Sequence, residues 1–223
     1  MDINKYYDKI FIINLEKRKD RWKDILLNLD KFKITNYERF NACYVDNLHD
    51  EDPNNYKNFR ENGVKKHGKK YINGALGCKK SHLEIIKLAK TRKYKKILIL
   101  EDDIIIRDIF SQKMSIVQKE IEELGENFDI ILFTGNHQKL PKKSTEHLYK
   151  ISETYATMAY TINHKLYDYI LNTAISSGLE IDVYYTKFVY NKQNSYCVIP
   201  HIFGHIGGYS DISNKDRGVF KCF

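Results

Sequence analysis

The sequence is poor in cysteine and in long apolar runs, and each shortage narrows what the chain can be. Its four cysteines, Cys43, Cys78, Cys197 and Cys222, are far apart and form no CxxC pair. That spacing gives no basis for a zinc knuckle or a dense disulfide framework, and it fits a reducing compartment. Every apolar run is broken by charge well short of the roughly 18 residues a membrane span needs. The amino terminus also lacks the apolar block of a signal peptide. The chain therefore reads as soluble, unprocessed and cytoplasmic, with at most a peripheral contact to membranes. It contains no internal repeat, and no linker divides its 223 residues. One unit spanning 1–223 is expected, large enough to bury a core.

Lysine and arginine number 37 against 29 aspartates and glutamates, a net charge of +8. Such an excess attracts anions, whether nucleotides, phosphorylated glycans, nucleic acid or membrane surfaces. A solvated basic surface accounts for it equally well. The lysines are dispersed and no nucleic-acid motif is present, so nucleic acid is not an expected partner.

Lys9 to Asn14 (KIFIIN) is a short apolar run suited to a parallel strand covered on both faces. From Glu16 to Leu29, Trp22, Ile25, Leu26 and Leu29 fall at helical spacing. A long polar loop or insertion is expected over 44–72, with Pro53, Gly63, Gly68 and the basic cluster Lys65, Lys66, Lys69 and Lys70. Helices are then expected over Leu76–Arg92 and Ser111–Leu124, the latter closed by Gly125, with strands at Lys96–Leu100 and Phe128–Phe133. Thr154–Thr161 reads as a strand, Lys165–Ala174 and Ile181–Tyr190 as helices, and Cys197–Ile202 as a final strand. The alternation predicts an α/β fold, a Rossmann-like, mostly parallel sheet with helices on both faces.

Ligands of open α/β sheets bind beyond the carboxyl ends of the strands, and the triplet Glu101-Asp102-Asp103 follows such an end. Three adjacent carboxylates beside an apolar strand repel one another unless a hard cation such as Mn2+ or Mg2+ neutralises them. A solvated acidic turn is the competing reading. After the first strand, Arg18 and Arg21 lie one helical turn apart, placed to hold phosphate or to pair with Asp20 and Asp24. Gly74 and Gly77 precede Ser81 and His82, and such glycines let a ligand or a neighbouring backbone approach closely. The segment is not a Walker loop, because the Gly-Lys-Ser/Thr ending is missing. His82 alone reads as a packed histidine. Near the carboxyl end His201, His205, Gly207, Gly208, Ser210 and Asp211 crowd together, and one of the histidines can complete a metal shell or sit on the surface.

Four segments in this order resemble glycosyltransferase family 25, the lipooligosaccharide and collagen galactosyltransferase-like glycosyltransferases. They are FIINLEKRKDRW at Phe11–Trp22, GALGCKKSH at Gly74–His82, LILEDD at Leu98–Asp103 and SDI at Ser210–Ile212. The resemblance implies a GT-A fold, a UDP-hexose donor (glucose or galactose), and Mn2+ or Mg2+ at a DxD-like motif occupied by Glu101-Asp102-Asp103. It implies an inverting, metal-dependent transfer to a hydroxyl of a glycan, a lipooligosaccharide or a hydroxylysine-bearing protein. Carried onto the matching positions, Asp103 is the main metal ligand, Glu101 a supporting acid and Asp102 a ribose or second metal contact; His205 is a candidate to complete the metal shell from its place near the carboxyl end. Donor contacts fall to Asn14, Arg18, Arg21, Gly74, Gly77, Ser81 and Asp102. Asp182 is the first choice for the catalytic base, with an N-cap role as the competing reading, and Asp211 the second. His205 stands where an amide residue is expected, a departure from the family pattern. A catalytically weak relative that binds glycans or partners is the alternative reading.

Overall fold

Periodicity of two along the central strands sorts the core. The computed structural model describes residues 2–46, 57–59, 68–191, 194–205, 207–212 and 215–218. Within them, a short helix α1 (Ile3–Tyr6) leads into β1 (Lys9–Asn14), α2 (Lys19–Lys31) and β2 (Tyr37–Asn41). The long α3 (Gly68–Thr91) precedes β3 (Lys96–Glu101), β4 (Ile104–Ile106), α4 (Phe110–Leu124) and β5 (Ile130–Leu132). Short strands β6 (Asn136–His137), β7 (Lys142–Lys143), β8 (Leu148–Lys150) and β9 (Thr154–Tyr155) lead to β10 (Ala159–Asn163). After α5 (Tyr167–Thr173) and α6 (Ile181–Tyr185), the chain closes with β11 (Ser195–Val198), β12 (Phe203–His205), β13 (Gly208–Ser210) and β14 (Lys215–Arg217).

Eight strands form the main sheet in the order β2-β1-β3-β10-β5-β11-β8-β7. β1 is parallel to both β2 and β3, and β11 is parallel to β5, while β8 and β10 run against the other six. The sheet is thus mostly parallel and flanked by helices, as the alternation of elements predicts. Ile10, Ile12, Leu98 and Leu100 face a core shared with α2 and α4, through Ile25, Leu29, Met114 and Val117. Phe11, Ile13, Ile97 and Ile99 face the opposite core, shared with α3, α5 and α6 through Ile86, Ile170 and Tyr185. Each fully buried isoleucine or leucine contributes about 1.5–3 kcal/mol, which lets a lysine-rich chain hold this sheet.

Several boundaries differ from the sequence expectation, for identifiable reasons. α3 begins at Gly68 and runs straight through Gly74 and Gly77, so Lys69 and Lys70 belong to a helix start instead of a loop. Each glycine costs roughly 1 kcal/mol in a helix interior, and packing of the helix against Cys43 and Ile212 overrides that cost. Of the expected 44–72 insertion, residues 47–56 and 60–67, with Pro53, Gly63, Lys65 and Lys66, lie outside the described residues, as does Cys222. The expected strand Thr154–Thr161 is two strands, separated where Ala156 takes φ 72°. β10 enters the sheet antiparallel between β3 and β5. Of the expected strand Cys197–Ile202 only Cys197 and Val198 are strand, as the end of β11, and β12 begins beyond it at Phe203. β2 gave no apolar signal, because its five residues alternate between partly buried and exposed at the sheet edge.

Candidate active site

β1 and β3 lie side by side and parallel, so their carboxyl ends open at one place. There Asn14, Glu101, Asp102 and Asp103 meet the start of α2 with Arg18 and Arg21. The antiparallel pair β12·β4 sets His205 opposite Ile104, next to the acidic turn. The resulting cleft has a volume of about 690 Å3 and is lined by Arg18, Arg21, Glu101, Asp102, Asp103 and His205, by Gly74, Gly77, Ser81 and His82 of α3, by Asp182 of α6 and by Tyr209 and Asp211, whereas Asn14 is buried against Asp102 and does not line it.

The three acids of the triplet do not share one environment. Asp102 is buried; it accepts from Asn14 Nδ2 at 2.6 Å and from Arg21 Nη1 at 2.9 Å. Burial raises its carboxyl above the usual range, against the lowering effect of Arg21 and Asn14. Asp103 Oδ2 lies 3.2 Å from Arg21 Nη1 and 3.4 Å from His205 Nε2. Burial works to raise this carboxyl too, but His205 and Arg21 outweigh it and hold Asp103 below the usual range. Its other oxygen, Oδ1, is buried with no hydrogen-bond partner among the described residues. His205 Nδ1 accepts from the Gly207 N–H at 2.9 Å. Glu101 turns away from both: its Oε1 accepts from Thr157 Oγ1 at 3.3 Å and lies 3.5 Å from His82 Nε2. Glu101, Asp103 and His205 therefore do not converge, and among the described residues Glu101 groups instead with Cys78 and His82.

On the wall formed by the start of α2, Arg21 also donates to the Tyr209 carbonyl at 2.7 Å, and Arg18 pairs with Asp20 at 2.8 Å and with Asp211 at 2.5 Å. Asp211, the second candidate base, is thus held by Arg18, with Lys17 at 3.5 Å. Asp24 does not take the Arg18 or Arg21 partnership that helical spacing offered; Asp20, Asp102, Asp103 and Asp211 do. Asn14 accepts from Arg39 Nη2 at 2.5 Å, and the Arg39 guanidinium lies 4.8 Å over the Trp22 ring.

On the opposite wall Asp182 follows the first residue of α6, past the N-cap position, which Glu180 holds. Its Oδ2 accepts from the Ala156 N–H at 3.2 Å and its Oδ1 from Val183 N–H at 2.8 Å. Burial raises the Asp182 carboxyl, and the charge of Glu101 adds to the shift. Ala156 presents its N–H from the left-handed region, which costs a non-glycine residue roughly 1–2 kcal/mol, so local strain accompanies the placement of this acid.

Gly74, Gly77 and Ser81 form a packing seam along the cleft. A Cβ on Gly77 would lie 2.5 Å from the Cys43 carbonyl oxygen, and one on Gly74 2.9 Å from Ile212 Cα. Ser81 Oγ accepts from Cys43 N–H at 2.8 Å and donates to the Gly77 carbonyl at 2.7 Å. His201 does not line the cleft; it is buried with its Nε2 3.0 Å from His137 Nε2. Sequence reasoning missed Arg39, Thr157, Tyr160 and Tyr209. Tyr209 follows the Gly207-Gly208 pair already singled out and could have been found there; only spatial proximity marks Arg39, Thr157 and Tyr160.

Comparison with known proteins matches residues 7–185 to the family model described as glycosyltransferase family 25 (LPS biosynthesis protein). A protein of Acanthamoeba polyphaga mimivirus, provisionally named glycosyltransferase R655, is 33% identical over 66% of this chain and 43% of its own length. Procollagen galactosyltransferase 1 of Danio rerio is 26% identical over 70% of this chain and 27% of its own length. The chain thus spans less than half the length of these curated relatives. Among solved structures, a glycosyltransferase involved in glycosylation of the major capsid of PBCV-1 superposes with TM-score 0.51 at 12% identity, covering 91% of this chain and 94% of that one. That likeness is one of fold, of the GT-A type. Among the described residues no helix is long and apolar enough to cross a membrane.

Proposed function

The chain belongs to glycosyltransferase family 25, and from that premise we propose that it transfers a hexose, glucose or galactose, from a UDP-sugar to an acceptor hydroxyl with inversion. One arrangement carries the reading: a single cleft holds Asp102 and Asp103 beside Arg18 and Arg21 on one wall and Asp182 on the other, and the two walls give their carboxyls different environments. Asp182 is raised by burial and Asp103 is held low by His205 and Arg21. Acids separated in this way take the separate roles of proton acceptor and standing anion.

In this reading Asp182 takes the proton of the acceptor hydroxyl as that oxygen attacks the anomeric carbon, and the bond to the UDP oxygen breaks on the opposite face. Arg18 and Arg21, at the start of α2, meet the charge of the departing diphosphate. The buried, unpartnered Oδ1 of Asp103 fits a hard-cation donor, and Asp103, with Asp102 and His205 beside it, would hold Mn2+ or Mg2+. Such an ion supplies Lewis-acid charge to the diphosphate. Gly74, Gly77 and Ser81 shape the cleft floor. The name of the Danio rerio relative supports galactose as the sugar and a procollagen-type protein as one acceptor class, and the family description, LPS biosynthesis protein, supports a lipopolysaccharide-type glycan as another.

The test is UDP release from UDP-glucose and UDP-galactose with Mn2+, together with calorimetric binding of UDP. Asp182→Asn is expected to retain UDP binding and lose on the order of 10^2–10^4 in kcat, whereas Asp103→Asn loses the Mn2+-dependent part of binding. Full turnover by Asp182→Asn, or no UDP binding at millimolar Mn2+, would overturn the proposal.

A further inference from the structure

Away from the wall formed by the start of α2, Cys78, His82 and Glu101 bring one potential ligand atom each to within 4.8 Å of the others. We propose that these three side chains form a site for one thiolate-seeking divalent ion of the Zn2+ class, separate from any cation at Asp103.

The placement follows from helix geometry. Cys78 and His82 are one turn apart on α3 and so share a face. That face looks onto the end of β3, where Glu101 stands. His82 is completely buried, yet among the described residues its Nε2 has no hydrogen-bond partner. An orphaned buried nitrogen costs about 1–3 kcal/mol. Its other ring nitrogen, Nδ1, is 2.9 Å from the Tyr160 hydroxyl, which is itself 3.3 Å from the Tyr185 hydroxyl. With the hydrogen on Nδ1, the Nε2 lone pair faces Glu101 Oε1, which also accepts from Thr157 Oγ1, at 3.5 Å, so two acceptors face one another. A cation between them satisfies both. An outer partner that fixes ring orientation and tautomer, here Tyr160, is the usual support of a metal-binding histidine.

The donor set selects the ion. One sulfur, one imidazole and one carboxylate suit Zn2+ or Co2+, and sulfur disfavours Mg2+ and Ca2+. Tetrahedral zinc distances place ligand atoms roughly 3.3–3.6 Å apart. The His82–Glu101 separation already meets this. Cys78 and Glu101 are only partly buried, so rotation of their side chains closes the rest. Loading is an acid–base exchange: the Sγ–H bond breaks, its proton passes to solvent, and an Sγ–metal bond forms with no change of oxidation state. Burial and the acids Glu101, Asp182 and Asp103 push the free thiol up. A bound dication reverses that electrostatic balance.

The experiment uses metal-stripped chain carrying Asp103→Asn, titrated with Co2+ alone. Thiolate-to-cobalt charge-transfer absorption and native mass spectrometry are the readouts. One ion per chain and a sulfur band are expected. Adding Cys78→Ser should abolish the band and weaken binding tenfold or more, with the metal-free circular dichroism unchanged. Tyr160→Phe should keep the band and weaken binding about 10–100-fold. Absence of the sulfur band, or its survival at full strength in Cys78→Ser, overturns the site. Either result is independent of whether Asp103 binds a cation, because that ligand is removed throughout.

Discussion

Replacing Arg21 by methionine tests the electrostatic logic of the cleft. The guanidinium is the shared counter-charge of Asp102 and Asp103, at 2.9 and 3.2 Å, and the three side chains are 17%, 9% and 16% exposed. Removing one partner of a buried pair costs about 3–5 kcal/mol. Partial exposure and the remaining donors, Asn14 on Asp102 and His205 on Asp103, place the loss near the lower end, about 3 kcal/mol at pH 8. The sign with pH is fixed. Burial already raises Asp102, and Arg21 is the largest influence lowering it. In Arg21→Met the folded-state value rises further above the unfolded one, so the folded form binds more protons and regains stability as pH falls. Urea unfolding of wild type, Arg21→Met and Arg21→Lys at pH 8 and pH 5 reads this directly. The wild-type minus Met gap should narrow at pH 5, with Lys between the two. A gap below about 0.5 kcal/mol at pH 8, or one that widens in acid, refutes the reasoning.

Two further outcomes follow from packing and burial. Gly77→Ala forces a Cβ to 2.5 Å from the Cys43 carbonyl oxygen, so despite alanine's better helix propensity it should destabilise by about 1–3 kcal/mol. Gly74→Ala, which meets Ile212 at 2.9 Å, gives a second thermal-unfolding comparison, and an unchanged midpoint in Gly77→Ala would contradict the seam. Burial lowers His137 to about 4 and His201 to about 3, from 6.5. The unfolded chain therefore protonates first, and stability present above pH 6.5 drains as pH falls toward 4, by up to about 1.4 kcal/mol per pH unit for each histidine. His137→Asn should flatten that slope in urea titrations between pH 6.5 and 4.5, and a slope equal to wild type would rule the contribution out.

The sheet's centre was legible because burial on both faces leaves a plain signature. KIFIIN and KILIL became β1 and β3 almost residue for residue. The helix expected over Ser111–Leu124 is α4, and Gly125 closes it at φ 60°. The start of α3 was hidden because propensity counts glycines locally, while the contacts that overrule them come from Cys43 and Ile212. The antiparallel setting of β10 was hidden because its side chains, AYTIN, carry no mark of direction. In the cleft, the triplet was readable as a group, but its division was not. Glu101 closes β3 while Asp102 and Asp103 sit in the following turn, and partners far away in sequence, Asn14, Arg21, His82 and His205, decide where each carboxylate points.

The pairing of Arg18 with Asp211 and of Arg21 with the Tyr209 carbonyl joins groups 193 and 188 positions apart along the chain. Contacts of such separation form late, since the loop they close is ordered only after the intervening sheet has assembled. During refolding, the strands and helices of the sheet can gather while this wall of the cleft is still open. The wall closes when Tyr209 and Asp211 reach the two arginines, so a partly folded chain carries the scaffold without a completed pocket. Binding of a nucleotide across those arginines during refolding would accordingly report the last event in assembly, not the first.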